Sequence, residues 1–141
     1  MRANVNPDAR VLELGGGYAS PELHAAFPNA ITVEHDERWT RYLRSKGLRV
    51  IHAPLEQGWY QAGPELTAAL QTADVVLIDG PPGLLRINGH RHTHHIPPGT
   101  VVIHDDTQRH YIREAITDPV IATITDRERT TTVTRKSPAR A

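Results

Sequence analysis

The sequence predicts an α/β fold: a doubly wound, mostly parallel sheet with helices on both faces and an antiparallel hairpin at its C-terminal end. Three observations predict it. Short apolar runs alternate with amphipathic stretches of helical length from residue 10 to about residue 116, the mark of successive strand–helix units. The first run ends in an acid and three glycines, "VLELGGG", which is the kind of turn a ligand-binding parallel sheet needs after its first strand. Last, "VIATIT" and "TTTVTR" flank "DRER" and alternate as hairpin strands do.

Each element follows in order. Arg10 to Leu14 reads as a buried strand. Ser20 caps a helix that has Pro21 at its first position and runs to about Phe27. Pro28-Asn29 turns the chain into "AITVE", a second strand that again ends in an acid. Asp36 caps "ERWTRYLRSK", and Gly47 ends it. "RVIHA" is the third strand, and Pro64 opens the helix "PELTAALQTA". "DVVLID", residues 74 to 79, is the fourth and most apolar strand, and "TVVIHDD", residues 100 to 106, the fifth. Gln108 to Ile116 is helical, with Tyr111, Ile112, Ala115 and Ile116 on one face. Between Asp79 and Gly99 lies a loop rich in Pro, Gly and His, of a length that in compact domains is often functional.

The 141 residues imply one domain, residues 1–135, followed by a disordered basic tail, 136–141. Lys and Arg together count 16, as do Asp and Glu, so the net charge is zero. That balance argues against a nucleic-acid or membrane-surface partner, which usually demands a basic excess. The absence of cysteine excludes disulfides and thiolate chemistry. "MRANVNPDAR" has no apolar core and so does not read as a signal peptide, and no run is long enough to cross a bilayer. A cytoplasmic location is the expectation. His90, His92, His94 and His95 are spaced unlike a structural zinc site; they read as a solvated lid, with Zn²⁺ or Ni²⁺ binding the alternative.

Gly15, Gly16 and Gly17 form the turn after the first strand, where glycine permits positive φ and close approach to the backbone. Three cofactor classes compete for such a turn. A P-loop needs GK[ST], which "GGGYASP" lacks. A dinucleotide fingerprint would place Ser20 at its third small position, where glycine or alanine is usual. Glu13 would also oppose a pyrophosphate, whereas it suits the cationic, phosphate-free S-adenosylmethionine. Glu34 is placed to accept ribose hydroxyls in either case. Tyr18, inside the turn, is placed to flank the cofactor.

The ordered motifs Glu13–Gly17 "ELGGG", Val33–Trp39 "VEHDERW", Gly58–Tyr60 "GWY", Asp79–Gly83 "DGPPG" and Asp105–Arg109 "DDTQR" resemble those of the class I S-adenosylmethionine-dependent methyltransferases, most of all the small-molecule O-methyltransferase branch. The likeness runs from about residue 10 to 110. It implies a Rossmann-like, seven-stranded sheet with an antiparallel last strand. It also implies cofactor contacts at Glu13, Gly15, Gly16, Gly17, Tyr18, Ser20, Glu34, His35, Asp79 and Gly80, and a small hydroxylated acceptor such as a sugar or phenol. Two departures accompany it. Only nine residues precede the first strand, and the fourth crossover offers at most a short helix. The substrate half is thus reduced, to be completed by a second copy in a homo-oligomer, or else the chain is a non-catalytic cofactor-binding scaffold. An NAD-dependent oxidoreductase is the remaining alternative.

The acids Asp79, Asp105 and Asp106 end the fourth and fifth strands and are expected to converge. Close carboxylates repel unless protonated or bound to a cation, and an all-oxygen set favours Mg²⁺ over softer metals. The resemblance implies that these three hold a metal which polarises the acceptor, with Asp79 and Asp105 catalytic. Alternatively, Asp79 caps the "GPPG" turn and Asp106 the following helix, through Gln108 or Arg109. His104 would share a strand face with Asp106 and is the metal-free candidate for general base. Arg109 could pair with Asp79 or hold an anionic substrate.

Overall fold

The computed structural model describes residues 6–91 and 95–138. Its centre is β1 (Val11–Leu14), buried along its whole length because it pairs in parallel on both edges. One neighbour is β2 (Ile31–Glu34) and the other is β6 (Val75–Ile78). Outward from β2 comes β3 (Val50–His52), and outward from β6 comes β7 (Val101–His104), both also parallel. The last two strands, β8 (Val120–Asp126) and β9 (Arg129–Arg135), form the expected hairpin; β9 enters antiparallel against β7, so β8 becomes the edge. The seven-stranded order is β3-β2-β1-β6-β7-β9-β8. Strand order reverses between β1 and β6, and that switch point is where such sheets accept ligands.

Alternation along β1 assigns its two faces. Leu12 and Leu14 join a core with Val33, Val76, Trp59, Tyr60 and the inner residues of α3 (Pro64–Thr72), Leu66, Ala69 and Leu70. Val11 turns the other way, into a smaller cluster with Ala30, Leu23 and Phe27 beneath α1 (Ser20–Ala26). Helices therefore cover both faces. α2 (Glu37–Ser45) begins as expected, with the Asp36 carboxylate accepting the Trp39 N–H at 2.9 Å. It ends in a Schellman arrangement: Gly47 at φ +81° donates to Arg44 O and Leu48 donates to Leu43 O. α4 (His110–Ala115) is shorter than the pattern predicts.

Three features differ from expectation. Ser20 is the first residue of α1 and not its cap; its hydroxyl accepts from Gly17 N–H and donates to Glu13. "TVVIHDD" ends as a strand at His104, because Asp106 takes the left-handed φ of +58°, so strand alternation cannot put His104 and Asp106 on one face. Finally, β4 (Leu55–Glu56) and β5 (Trp59–Tyr60) form a small hairpin across Gln57 and Gly58, both at positive φ. That turn drives Trp59 and Tyr60 into the core, at 2% and 1% exposure.

The switch point depends on a backbone contact. Gly15 sits at φ +98°, and a Cβ there would lie 2.8 Å from Gly80 N and 2.9 Å from Asp79 C. Gly15→Ala combines a disfavoured φ with a clash against backbone, and should lower unfolding free energy by about 3 kcal/mol, read from urea denaturation midpoints.

Candidate functional site

The glycine turn is braced by two buried acids, one on each side. Glu34, the last residue of β2, is 3% exposed. Its Oε2 accepts Gly16 N–H at 2.8 Å, and its Oε1 accepts the N–H groups of His35 and Asp36 at 2.9 Å each. The His35 ring closes on the same carboxylate, with Nδ1 at 3.1 Å from Oε1. Glu13 stands behind the turn. Its Oε2 accepts the hydroxyls of Ser20 at 2.8 Å and Thr32 at 2.7 Å, and burial pushes its carboxyl up. The three glycines differ in purpose. Gly15 meets the Gly80 backbone, and Gly16 fits against Leu43 and Thr32, whereas Gly17 faces open space. Tyr18, largely exposed, stands edge-on to Trp39 with centroids 4.9 Å apart.

Across the switch point, Asp79 follows β6 and Gly80 packs against Gly15. Asp79, Asp105 and Asp106 do converge: each offers an oxygen within 4.8 Å of the others. The group between them that the sequence reading missed is Arg86. It lies on the 3₁₀ segment Gly83–Arg91 and is 8% exposed. Its guanidinium donates to Asp106 Oδ2 at 3.0 Å, to the carbonyls of Asp79 and Pro81, and stands 3.7 Å from Asp79 Oδ1. Arg129, on β9, adds a second cation, 2.7 Å from Asp105 Oδ2 and 3.4 Å from Asp106 Oδ1. Thr131 donates to Asp105 and Gln108 to Asp106. Asp106 consequently titrates below the ordinary carboxylate range, its pairing with Gln108 and Arg86 overcoming the burial that opposes it. Asp79 has the guanidinium only at 3.7 Å and lies against Asp105. Desolvation and the Asp105 charge raise its carboxyl to about 7.

His104 lies apart from that cluster. Its Nε2 is 3.1 Å from Thr134 Oγ1 on β9, and burial lowers its pKa to about 4. Arg109 is 4.0 Å from Asp106 and bonds Tyr111, not Asp79. Of the histidine cluster, His92 and His94 lie outside the described residues, as does the side chain of His90; His95 is half-buried. A cavity of about 340 Å³ lined by Arg10, Val11, Asn29 and Arg49 opens at the amino ends of the central strands. It is on the wrong edge for a switch-point ligand.

No protein-family model and no curated protein sequence matches the chain. Solved structures do. An RNA methyltransferase from Salinibacter ruber, in complex with S-adenosyl-L-homocysteine, superposes with a TM-score of 0.66 at 14% identity, over 99% of this chain and 88% of that one. TrmN from Thermus thermophilus gives 0.68 at 17% identity, over 92% of this chain but 44% of that one. A predicted O-methyltransferase from Agrobacterium tumefaciens gives 0.62 at 15% identity, over 98% and 78%. The chain has the Rossmann-like fold of class I methyltransferases. The expected small-molecule acceptor, and the exclusion of nucleic acid, gain nothing from these likenesses, since an RNA methyltransferase is among them. No helix among the described residues is long and apolar enough to cross a membrane.

His104 and Asp79 make opposite demands on pH. His104 is held neutral, so its share of stability is complete above its ordinary 6.5 and is lost as pH falls toward about 4. Asp79 holds its proton more tightly when folded, so its ionisation weakens the fold as pH rises from 3.8 toward about 7. Denaturation midpoints of Asp79→Asn should therefore fall from pH 6.5 to 4, and adding His104→Gln should flatten that slope.

Proposed function

We propose that the chain is an S-adenosylmethionine-dependent methyltransferase acting on a hydroxyl of a small hydroxylated substrate. The observation that carries this reading is the sign of the charge at the switch point. Glu34 is buried against the glycine turn and Asp79 stands at the adjoining strand end, while Glu13 lies behind the turn. The buried cation nearby, Arg86, is committed to Asp106 and to carbonyls of its own loop. Such a lining fits a cationic nucleoside without phosphates and opposes a dinucleotide, so the oxidoreductase alternative is the weaker. The likeness to a structure that binds S-adenosyl-L-homocysteine supports the same choice.

In this reading Glu34 receives a ribose hydroxyl on Oε2, which otherwise accepts only Gly16 N–H, Gly15, Gly16, Gly17, His35 and Gly80 form the wall, and Tyr18 flanks it. Glu13 and Ser20 shape the turn from behind through their mutual hydrogen bond. S-adenosylmethionine held there would supply a methyl group: the acceptor oxygen would bond to the methyl carbon in line as the carbon–sulfur bond breaks, with S-adenosyl-L-homocysteine the leaving group. Asp79 takes the acceptor's proton. It is partly exposed at the strand end, and a carboxyl near 7 is matched to base catalysis at neutral pH. Asp105, fixed by Arg129 and Thr131, lies beside it and raises its affinity for a proton. We assign the proton to Asp79 in preference to His104, whose ring is engaged by Thr134.

The three carboxylates have the right chemistry for Mg²⁺, but the arrangement does not leave them to it. Arg86 and Arg129 already occupy oxygens of Asp106 and Asp105, so a divalent ion would have to displace a guanidinium. No step is therefore routed through a metal. An RNA acceptor is the second reading. It draws on the exposed Tyr18 and Tyr42 and the half-buried Trp39, which with Arg38 line a cavity of about 190 Å³ and offer stacking surfaces.

Calorimetry should show S-adenosyl-L-homocysteine binding, and Glu34→Ala should weaken it about tenfold or more; a wild-type protein that binds none would remove the reading. Added Mg²⁺ should leave the melting temperature unchanged. A rise that Asp79→Asn abolishes would restore the metal.

A further inference from the structure

Tyr60 Oη is the one buried side-chain polar atom among the described residues that has no hydrogen-bond partner. An unmade bond of this kind is costly, and phenylalanine would fill the same space without it. The hydroxyl is not in an arbitrary place. A Cβ on Gly80 would collide with it, and Gly80 in turn packs against Gly15, so Oη stands at the crevice where β1 and β6 end. The ring itself is fixed: it is 1% exposed, lies edge-on to Trp59 at 5.1 Å, and tilts against His35 at 6.4 Å. Glu34, Asp79 and Glu13 lie close enough to oppose loss of the phenolic proton, which burial already holds. The group is therefore a donor, and none of those carboxylates takes its hydrogen bond. Glu34 accepts instead from N–H groups of the turn, and Glu13 from Ser20 and Thr32.

We propose that Tyr60 Oη donates a hydrogen bond to an oxygen of the ligand bound at the switch point, which makes it a cofactor-binding residue of the S-adenosyl site. This rests on the methyltransferase reading above and adds to it a contact that the sequence motifs did not assign. Two oxygen sources share the chemistry: the ribose and the methionyl carboxylate.

The test compares wild type with Tyr60→Phe in two measurements: thermal denaturation without ligand, and calorimetry with S-adenosyl-L-homocysteine. Tyr60→Phe should be as stable as wild type or more so without ligand, because an unsatisfied group has gone. Its Kd for S-adenosyl-L-homocysteine should rise about 5- to 20-fold. Methylthioadenosine, which lacks the amino-acid portion, identifies the oxygen: an equal rise points to the ribose, and a rise confined to S-adenosyl-L-homocysteine points to the carboxylate. Equal Kd values for the two proteins overturn this proposal alone. A Tyr60→Phe protein that is less stable without ligand also overturns it, because the hydroxyl would then be satisfied within the fold. If wild type binds neither ligand, the methyltransferase reading falls and this proposal falls with it.

Discussion

Gly15 and Gly80 touch backbone to backbone where the two central strands end, and the rest of the carboxyl edge is arranged around that contact. Because neither residue has a side chain, the loops after β1 and β6 can run side by side at the switch point. The closeness brings Asp79 next to the glycine turn and leaves room for the Tyr60 hydroxyl above it. It also explains why the first glycine is spent on the fold. Its missing Cβ makes space for a neighbouring chain segment, and Gly17, two residues on, is the one with open space beside it.

Charge is distributed around this contact in two different ways. On the β2 side, acids are neutralised by backbone: Glu34 accepts three N–H groups and so fixes the shape of the turn. On the β7 side, acids are neutralised by arginines: Arg86 and Arg129 hold Asp106 and Asp105. Asp79 lies between the two systems with Arg86 at 3.7 Å and Asp105 beside it, and burial together with Asp105 pushes it toward neutrality. Perturbation of one carboxyl among well-paired neighbours is what separates a candidate reactive group from its structural supports. The cost of holding Asp79 there is offset by packing and ion pairs elsewhere in the same loops.

Much of this was legible in the sequence because it is local. Helix starts and stops at Asp36 and Gly47, the alternation of strands with helices, and the terminal hairpin all follow from residues within a turn of one another. The convergence of Asp79, Asp105 and Asp106 was legible too, since parallel neighbours must end on the same edge. What stayed hidden depends on distant pairs. Arg86 bonds Asp106 twenty residues away, out of a loop whose composition reads as solvent-facing. The β4–β5 hairpin turns on Gln57-Gly58, which lacks the asparagine or aspartate that usually announces such a turn. Ser20 offered two hydrogen-bonding roles, cap or partner of Glu13. Only the packing of α1 against β1 and β2 decides between them.

The 3₁₀ segment Gly83–Arg91 shows why the catalytic half of the site is less fixed by pattern than the cofactor half. It has no helical periodicity to bury one face, and Leu84, Leu85 and Ile87 remain exposed. Among the described residues its polar anchors are Arg86 to Asp106 and to the Asp79 and Pro81 carbonyls, and Asn88 to Gly58 O, while Leu85 packs near Gly58. The same guanidinium that anchors it also sets the charge beside Asp79. Any displacement of that loop would take Arg86 away from Asp106 and Asp79 together, leaving three carboxylates with less positive charge to face. The position of the loop thus bears on the proton affinity of Asp79, because Arg86 opposes the rise that burial and Asp105 impose.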